Sequence, residues 1–146
     1  MAPDEFFQLA RTLLNGPAEA HWRTAVSRMY YASFHSLRQR LQEWGFHLRK
    51  SDQAHVGLSR RLAAIPLDGW DALARDLTQL RSDRNAADYD VERIFPKRLA
   101  INCVEAAERI SAKLRVALTN ADKQQAIAAI RDYERDVLRD ITWRQS

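Results

Sequence analysis

Along most of the chain the apolar residues recur at steps of three and four, the period of an amphipathic helix. Residues 3–15 carry Phe6, Leu9, Leu13 and Leu14 at that spacing. Gly16-Pro17 ends the segment and opens the next, since glycine is favoured just past a helix end and proline at a start. The next helix is predicted from about 17 to 44 on Trp22, Val26, Met29, Tyr30, Phe34, Leu37, Leu41 and Trp44. Gly45 is placed to supply a left-handed closing residue. A basic loop, 45–51, leads to a shorter helix over 52–64 that Pro66 ends. In the turn Leu67-Asp68-Gly69, Asp68 is placed to cap the helix of Trp70, Leu73, Leu77 and Leu80. After a loop at 90–95, Pro96 suits the first turn of a helix reaching about 118. Thr119-Asn120 breaks it, and Ile127, Ile130, Val137, Leu138 and Ile141 predict a last helix over 121–142.

Helices of this length joined by short connections pack antiparallel. The expected fold is therefore all-α, an antiparallel four-helix bundle with short additional N- and C-terminal helices. At 146 residues one domain is expected, with no internal repeat and no linker. The second helix carries Trp22 and Tyr31 outside a single apolar stripe. A twin subunit would cover that surplus, so a homodimer is expected.

Composition narrows the class. A hydrophobic share of 46% with 29% charged residues supports a core and excludes wholesale disorder. Four glycines and four prolines suit long helices rather than a loop-rich β fold. The single cysteine, Cys103, excludes an internal disulfide and a thiolate zinc site, and its apolar neighbours predict a small buried residue. No run approaches the roughly 20 apolar residues of a membrane span. The start, Met-Ala-Pro-Asp-Glu, lacks a signal peptide's basic and apolar regions. A cytoplasmic protein without a membrane partner is expected.

The net charge of +4 is unevenly spread. Residues 21–61 hold eight Arg or Lys against two acids, a local +6, and all four histidines. Residues 62–90 hold six Asp against three Arg. Such a split predicts a basic face for an anionic partner, with Arg38, Arg40, Arg49, Lys50, Arg60 and Arg61 as the nucleic-acid-binding candidates. A merely solvated helix surface is the competing reading.

Catalytic motifs are scarce. There is no phosphate-cradling glycine loop, no His-Glu-x-x-His and no Gly-x-Ser-x-Gly. The histidines lack metal-ligand spacing, and no metal or cofactor is expected. The run Arg81-Ser82-Asp83-Arg84-Asn85-Ala86-Ala87-Asp88-Tyr89-Asp90 stands out, because two guanidinium forks, an amide and a phenol close an apolar helix. Either Asp88 and Tyr89 hold Arg84 in a buried polar clasp, or the forks meet a phosphate or carboxylate. Tyr30, Phe34 and Trp22 read as core or dimer seam.

Two segments taken together, Tyr30-Tyr31-Ala32-Ser33-Phe34-His35 and Arg84-Asn85-Ala86-Ala87-Asp88-Tyr89, resemble the HEPN family of prokaryotic helical domains. The resemblance covers residues 17–118, the core of one HEPN-like domain over 1–146. It implies a dimer, and in active members a metal-independent ribonuclease whose arginine, polar residue and later histidine pair across the dimer. By that resemblance Arg84, Asn85, Asp88 and Tyr89 are the catalytic candidates, with Tyr89 standing where the family has its histidine. Tyrosine, with a pKa of about 10, is a poor base at neutral pH. His35, on the second helix, is the candidate to replace the histidine in space by facing Arg84. The implied setting is a toxin–antitoxin or defence-type system in which the protein binds or cuts RNA or nucleotide. The alternative is a non-catalytic dimeric partner of a small nucleotidyltransferase.

Overall fold

A computed structural model describes residues 3–51 and 53–145. Six helices appear: α1 Pro3–Leu14, α2 Glu19–Glu43, α3 Gln53–Ala63, α4 Trp70–Tyr89, α5 Lys97–Arg115 and α6 Asn120–Tyr133. Among the described residues there is no strand, only one isolated antiparallel bridge between Phe46 and Trp143. The all-α expectation holds.

Helix α2 is the axis of the bundle because its apolar residues run nearly around it. Val26, Met29, Tyr30, Leu37 and Leu41 are fully buried, and the helix packs on α1, α4 and α5. Contacts give the directions. Ser27 meets Asp88 and Tyr31 meets Arg84, so α2 and α4 run antiparallel. Asp83 meets Cys103 and Asp76 meets Arg109, so α4 and α5 do too. Helix α3 packs on α4 alongside the bundle.

Two turns rest on glycines in the left-handed region. Gly45, at φ 105°, closes α2 as its position predicts. Gly69, at φ 83°, is itself the N-cap of α4, so Asp68 does not cap that helix. Asp68 instead offers its carbonyl to Lys113 Nζ at 2.6 Å, which ties the turn to the end of α5.

The predicted single helix over 121–142 is broken. Helix α6, capped by Thr119 accepting from the Asp122 amide at 3.1 Å, passes at Tyr133 into a π-helical turn, Glu134–Leu138. Arg139 then turns left-handed, at φ 52°. The cause is Glu134, which is 1% exposed. Its carboxylate accepts from Arg61 Nε at 2.7 Å, the Thr142 amide at 3.1 Å and hydroxyl at 2.5 Å, and the Trp143 amide at 3.2 Å. A continued helix would carry Thr142 and Trp143 away from that carboxylate. Val137 and Ile141, predicted on an apolar face, are accordingly 62% and 69% exposed.

Candidate functional site

The polar run lies on the last two turns of α4, where α2 crosses it. Spacing of four puts Arg84 and Asp88 on the side toward α2, where they meet Tyr31 and Ser27. Arg84 donates from one terminal nitrogen to Asn85 Oδ1 at 3.0 Å and from the other to the Tyr31 hydroxyl. Its Nε faces Asp88 Oδ2 at 3.1 Å, but the N–H is aimed off the carboxylate, so this is an ion pair without a hydrogen bond. The guanidinium carbon lies 4.9 Å from the Tyr31 ring centre, 5.6 Å from Tyr30 and 5.7 Å from Tyr89. Three rings around one cation stabilise it without neutralising it. The side chain keeps 13% exposure, and Tyr89 is 72% exposed. Arg84, Asn85, Asp88 and Tyr89 are thus brought together in a clasp that leaves an edge and a ring open.

His35 does not touch Arg84. Tyr31 lies between them: its hydroxyl takes the guanidinium and its ring sits 6.2 Å from His35. His35 is solvent-exposed at one edge, yet rests on Phe6, Tyr31 and Phe34. Partial burial, then the charge of Arg38, holds its pKa below the ordinary histidine value. The histidine that meets the tyrosine layer is His55, which stacks on Phe34 at 4.4 Å and whose Nδ1 meets the Tyr30 hydroxyl. Burial raises the Tyr30 phenol to about 12 against the lowering pull of Arg81 and Arg84. Tyr30 therefore stays a neutral phenol at ordinary pH, hydrogen-bonded to His55 Nδ1. The helical pattern places Tyr30 in the core but gives no sign of its partner, 25 residues away.

Arg23 organises the end of α4. It donates to the carbonyls of Ala86, Ala87 and Asp90 at 3.0–3.1 Å and to that of Arg93, with Phe95 under it at 5.2 Å. A cation on the last carbonyls of a helix is favourable for the helix dipole and satisfies orphan acceptors. It is a structural cation in the basic segment that sequence reading left unassigned.

The six basic candidates separate. Arg61 is 2% exposed and bound to Glu134, Asp140 and the Gly57 carbonyl, so no edge remains for a phosphate. Arg40 donates to the Leu114 carbonyl at 2.9 Å, pairs with Glu43, and lines a separate 290 Å³ cleft of α1, α2 and α5. Arg38 donates to the Leu48 carbonyl at 3.0 Å. Lys50 is exposed in the loop before α3. Arg49 and Arg60 are exposed and line one groove of about 660 Å³ beside α3, together with Arg81. Among the described residues none of these three side chains makes an ion pair or hydrogen bond. Arg81 belongs to the polar run on α4 and lies outside the basic segment 21–61 that supplies the six.

Asp83 faces the other way. It accepts from Gln79 at 3.0 Å and from the Cys103 thiol at 3.3 Å. Burial, then that carboxylate, pushes the thiol far above its ordinary pKa, so Cys103 is an inert core residue. Among the described residues no three His, Cys, Asp or Glu side chains gather as a metal-ligand set. Compared with family models, with curated proteins and with solved structures, the chain matches none.

Proposed function

We propose that this chain is a HEPN-like helical domain that binds RNA or nucleotide and holds it rather than cutting it, in a prokaryotic toxin–antitoxin or defence-type setting. The observation that carries the reading is the groove of Arg49, Arg60 and Arg81, three guanidinium groups on one concavity that form no side-chain ion pair among the described residues and outnumber the described carboxylate there, Asp140. A cationic excess of this kind repels itself and is relieved by a polyanion. Arg84 and the exposed Tyr89 ring add a cation and a stacking surface on the same helix. Holding rather than cutting is supported by the neighbours of Arg84, which among the described residues are three phenols, Asn85 and Asp88, with no histidine among them.

Fluorescence anisotropy with a single-stranded RNA oligonucleotide tests this. Three phosphate contacts correspond to a log–log salt slope of about −2, so raising salt from about 50 to about 200 mM should weaken binding about 20-fold. The RNA should remain intact over hours. Absence of binding at the lower salt would sink the reading.

A second reading, a non-catalytic partner of a small nucleotidyltransferase or of another copy of this chain, is favoured by one feature. Tyr89, Val91 and Ile94 are 72%, 73% and 82% exposed in one short stretch, an apolar surface beside Arg84. Sedimentation at about 100 μM separates the cases: a dimer that Ile94→Asp converts to monomer supports self-association, and a wild-type monomer removes it.

A further inference from the structure

Two grooves meet on the outer side of the α3–α4 hairpin, and they differ in character. The first, about 660 Å³, is basic; Arg49, Ser51, Gln53, Arg60 and Arg81 line it. The second, about 640 Å³, runs between the two helices over Val56, Ser59, Ala63, Ala74, Thr78 and Gln79, and is lined also by the exposed, mutually neutralising ion pair of Asp71 and Arg75. Val56, Arg60 and Arg81 line both, so the grooves adjoin. Helical spacing explains the opening. Positions 56, 59, 60 and 63 share a face of α3, and 74, 78 and 81 share a face of α4. Small side chains at Ala63, Ala74 and Ser59 leave the space that larger ones would fill. Each groove falls within the roughly 300–1,000 Å³ of small-molecule sites.

Arg60 and Arg81 stand on the border. Among the described residues their guanidinium ends have no hydrogen-bond acceptor, while their aliphatic stems can line the neutral side. A ligand matching both halves carries a phosphate at one end and a flat, weakly polar body at the other. We propose that the paired groove binds a nucleoside monophosphate unit, phosphate between Arg49, Arg60 and Arg81 and base along Val56, Ala63 and Ala74. The unit is either a free nucleotide or the terminal nucleotide of an RNA. The site lies beside α3, apart from Arg84 and Tyr89, and the inference rests on the anion-binding reading above. Among the described residues Asp140 is the carboxylate lining the basic half; it leans on Arg61 at 3.3 Å and is 52% exposed. It opposes a second negative charge there.

Titration calorimetry with AMP, adenosine and inorganic phosphate tests the two halves. AMP should bind at least about tenfold tighter than either fragment, and Arg81→Gln should remove that advantage. Ala63→Trp, at an exposed position, should weaken AMP about tenfold and leave inorganic phosphate unchanged. Val56→Glu is a second variant at the junction and should weaken both ligands. Asp140→Asn should tighten AMP a few-fold (about threefold, from removing one like charge). Competition by a 5′-phosphorylated oligonucleotide but not its 5′-hydroxyl form identifies an RNA terminus as the source. Competition by AMP alone identifies a free nucleotide. AMP binding no tighter than phosphate, or unaffected AMP binding in both Ala63→Trp and Val56→Glu, overturns the paired site. Salt-dependent binding of single-stranded RNA would survive that result, so the two failures are distinguishable.

Discussion

Helix α3 serves two regions that treat arginine in opposite ways, the C-terminal clasp and the groove shared with α4. Arg61 enters the clasp with 3% of its side chain exposed, bonded to Glu134, Asp140 and a backbone carbonyl. Arg60, its neighbour in sequence, turns into the groove exposed and, among the described residues, without a side-chain partner. A 100° step around the helix separates the two directions. A buried charge persists only when paired and hydrogen-bonded, and the C-terminal tail folds back to supply those partners. A charge in a wet groove needs no protein partner and remains available to a ligand. Burial at a closed site thus spends an arginine on structure, while an open concavity keeps it for binding.

The widest gap between the two regions should be in stability. Arg61→Ala strands the Glu134 carboxylate and should cost about 3–5 kcal/mol, against less than about 0.5 kcal/mol for Arg60→Ala. Urea denaturation of both variants checks this; equal losses would break the comparison. RNA affinity should invert the order, with Arg60→Ala the weaker binder.

Arg84 stands between the extremes, and its variant sharpens the contrast. Its side chain is 13% exposed and that of Asp88 30%, so water screens part of what is lost. Arg84→Ala should cost about 2 kcal/mol and also reduce RNA affinity. Wild-type melting with wild-type binding would refute both roles.

Tyr30 gives a smaller, pH-dependent effect on the core side of the α4 arginines. Its folded pKa, about 12, lies above the unfolded value of 10.0. The unfolded chain therefore loses the proton first as pH rises. The stabilising contribution is whole below about pH 10 and declines toward pH 12 by roughly 1.4 kcal/mol per unit. Tyr30→Phe should flatten that alkaline decline while costing about 1 kcal/mol at neutral pH for the lost His55 bond. Denaturation series from about pH 8 to 11 on both proteins decide it; parallel slopes would place the alkaline loss elsewhere.

Much of the fold was legible because each helix writes its buried face at a local period. Val26, Met29, Leu37 and Leu41 on α2, and Val104, Ala107 and Ile110 on α5, are buried as their spacing predicts. Gly45 and Thr119-Asn120 mark boundaries for reasons contained within a few residues. The exception over 121–142 is instructive. Its apolar period continues to Ile141, but Glu134 binds Arg61, 73 residues away, and the helix gives way to a π turn. No local pattern announces a partner at that distance.

The site divides along the same line. Arg84, Asn85, Asp88 and Tyr89 were legible as a polar set, since one helix end carries them all. That Tyr31 takes the Arg84 guanidinium, that His35 stays one ring away, and that Arg81 joins Arg49 and Arg60 were decided by how α2, α3 and α4 pack. By itself the sequence determined the helices, their buried stripes and the supply of charged groups, because these follow from spacing along one chain segment. Only the tertiary structure decided which arginines are consumed in clasps and which are left facing solvent, because pairing depends on groups that meet only once distant helices dock.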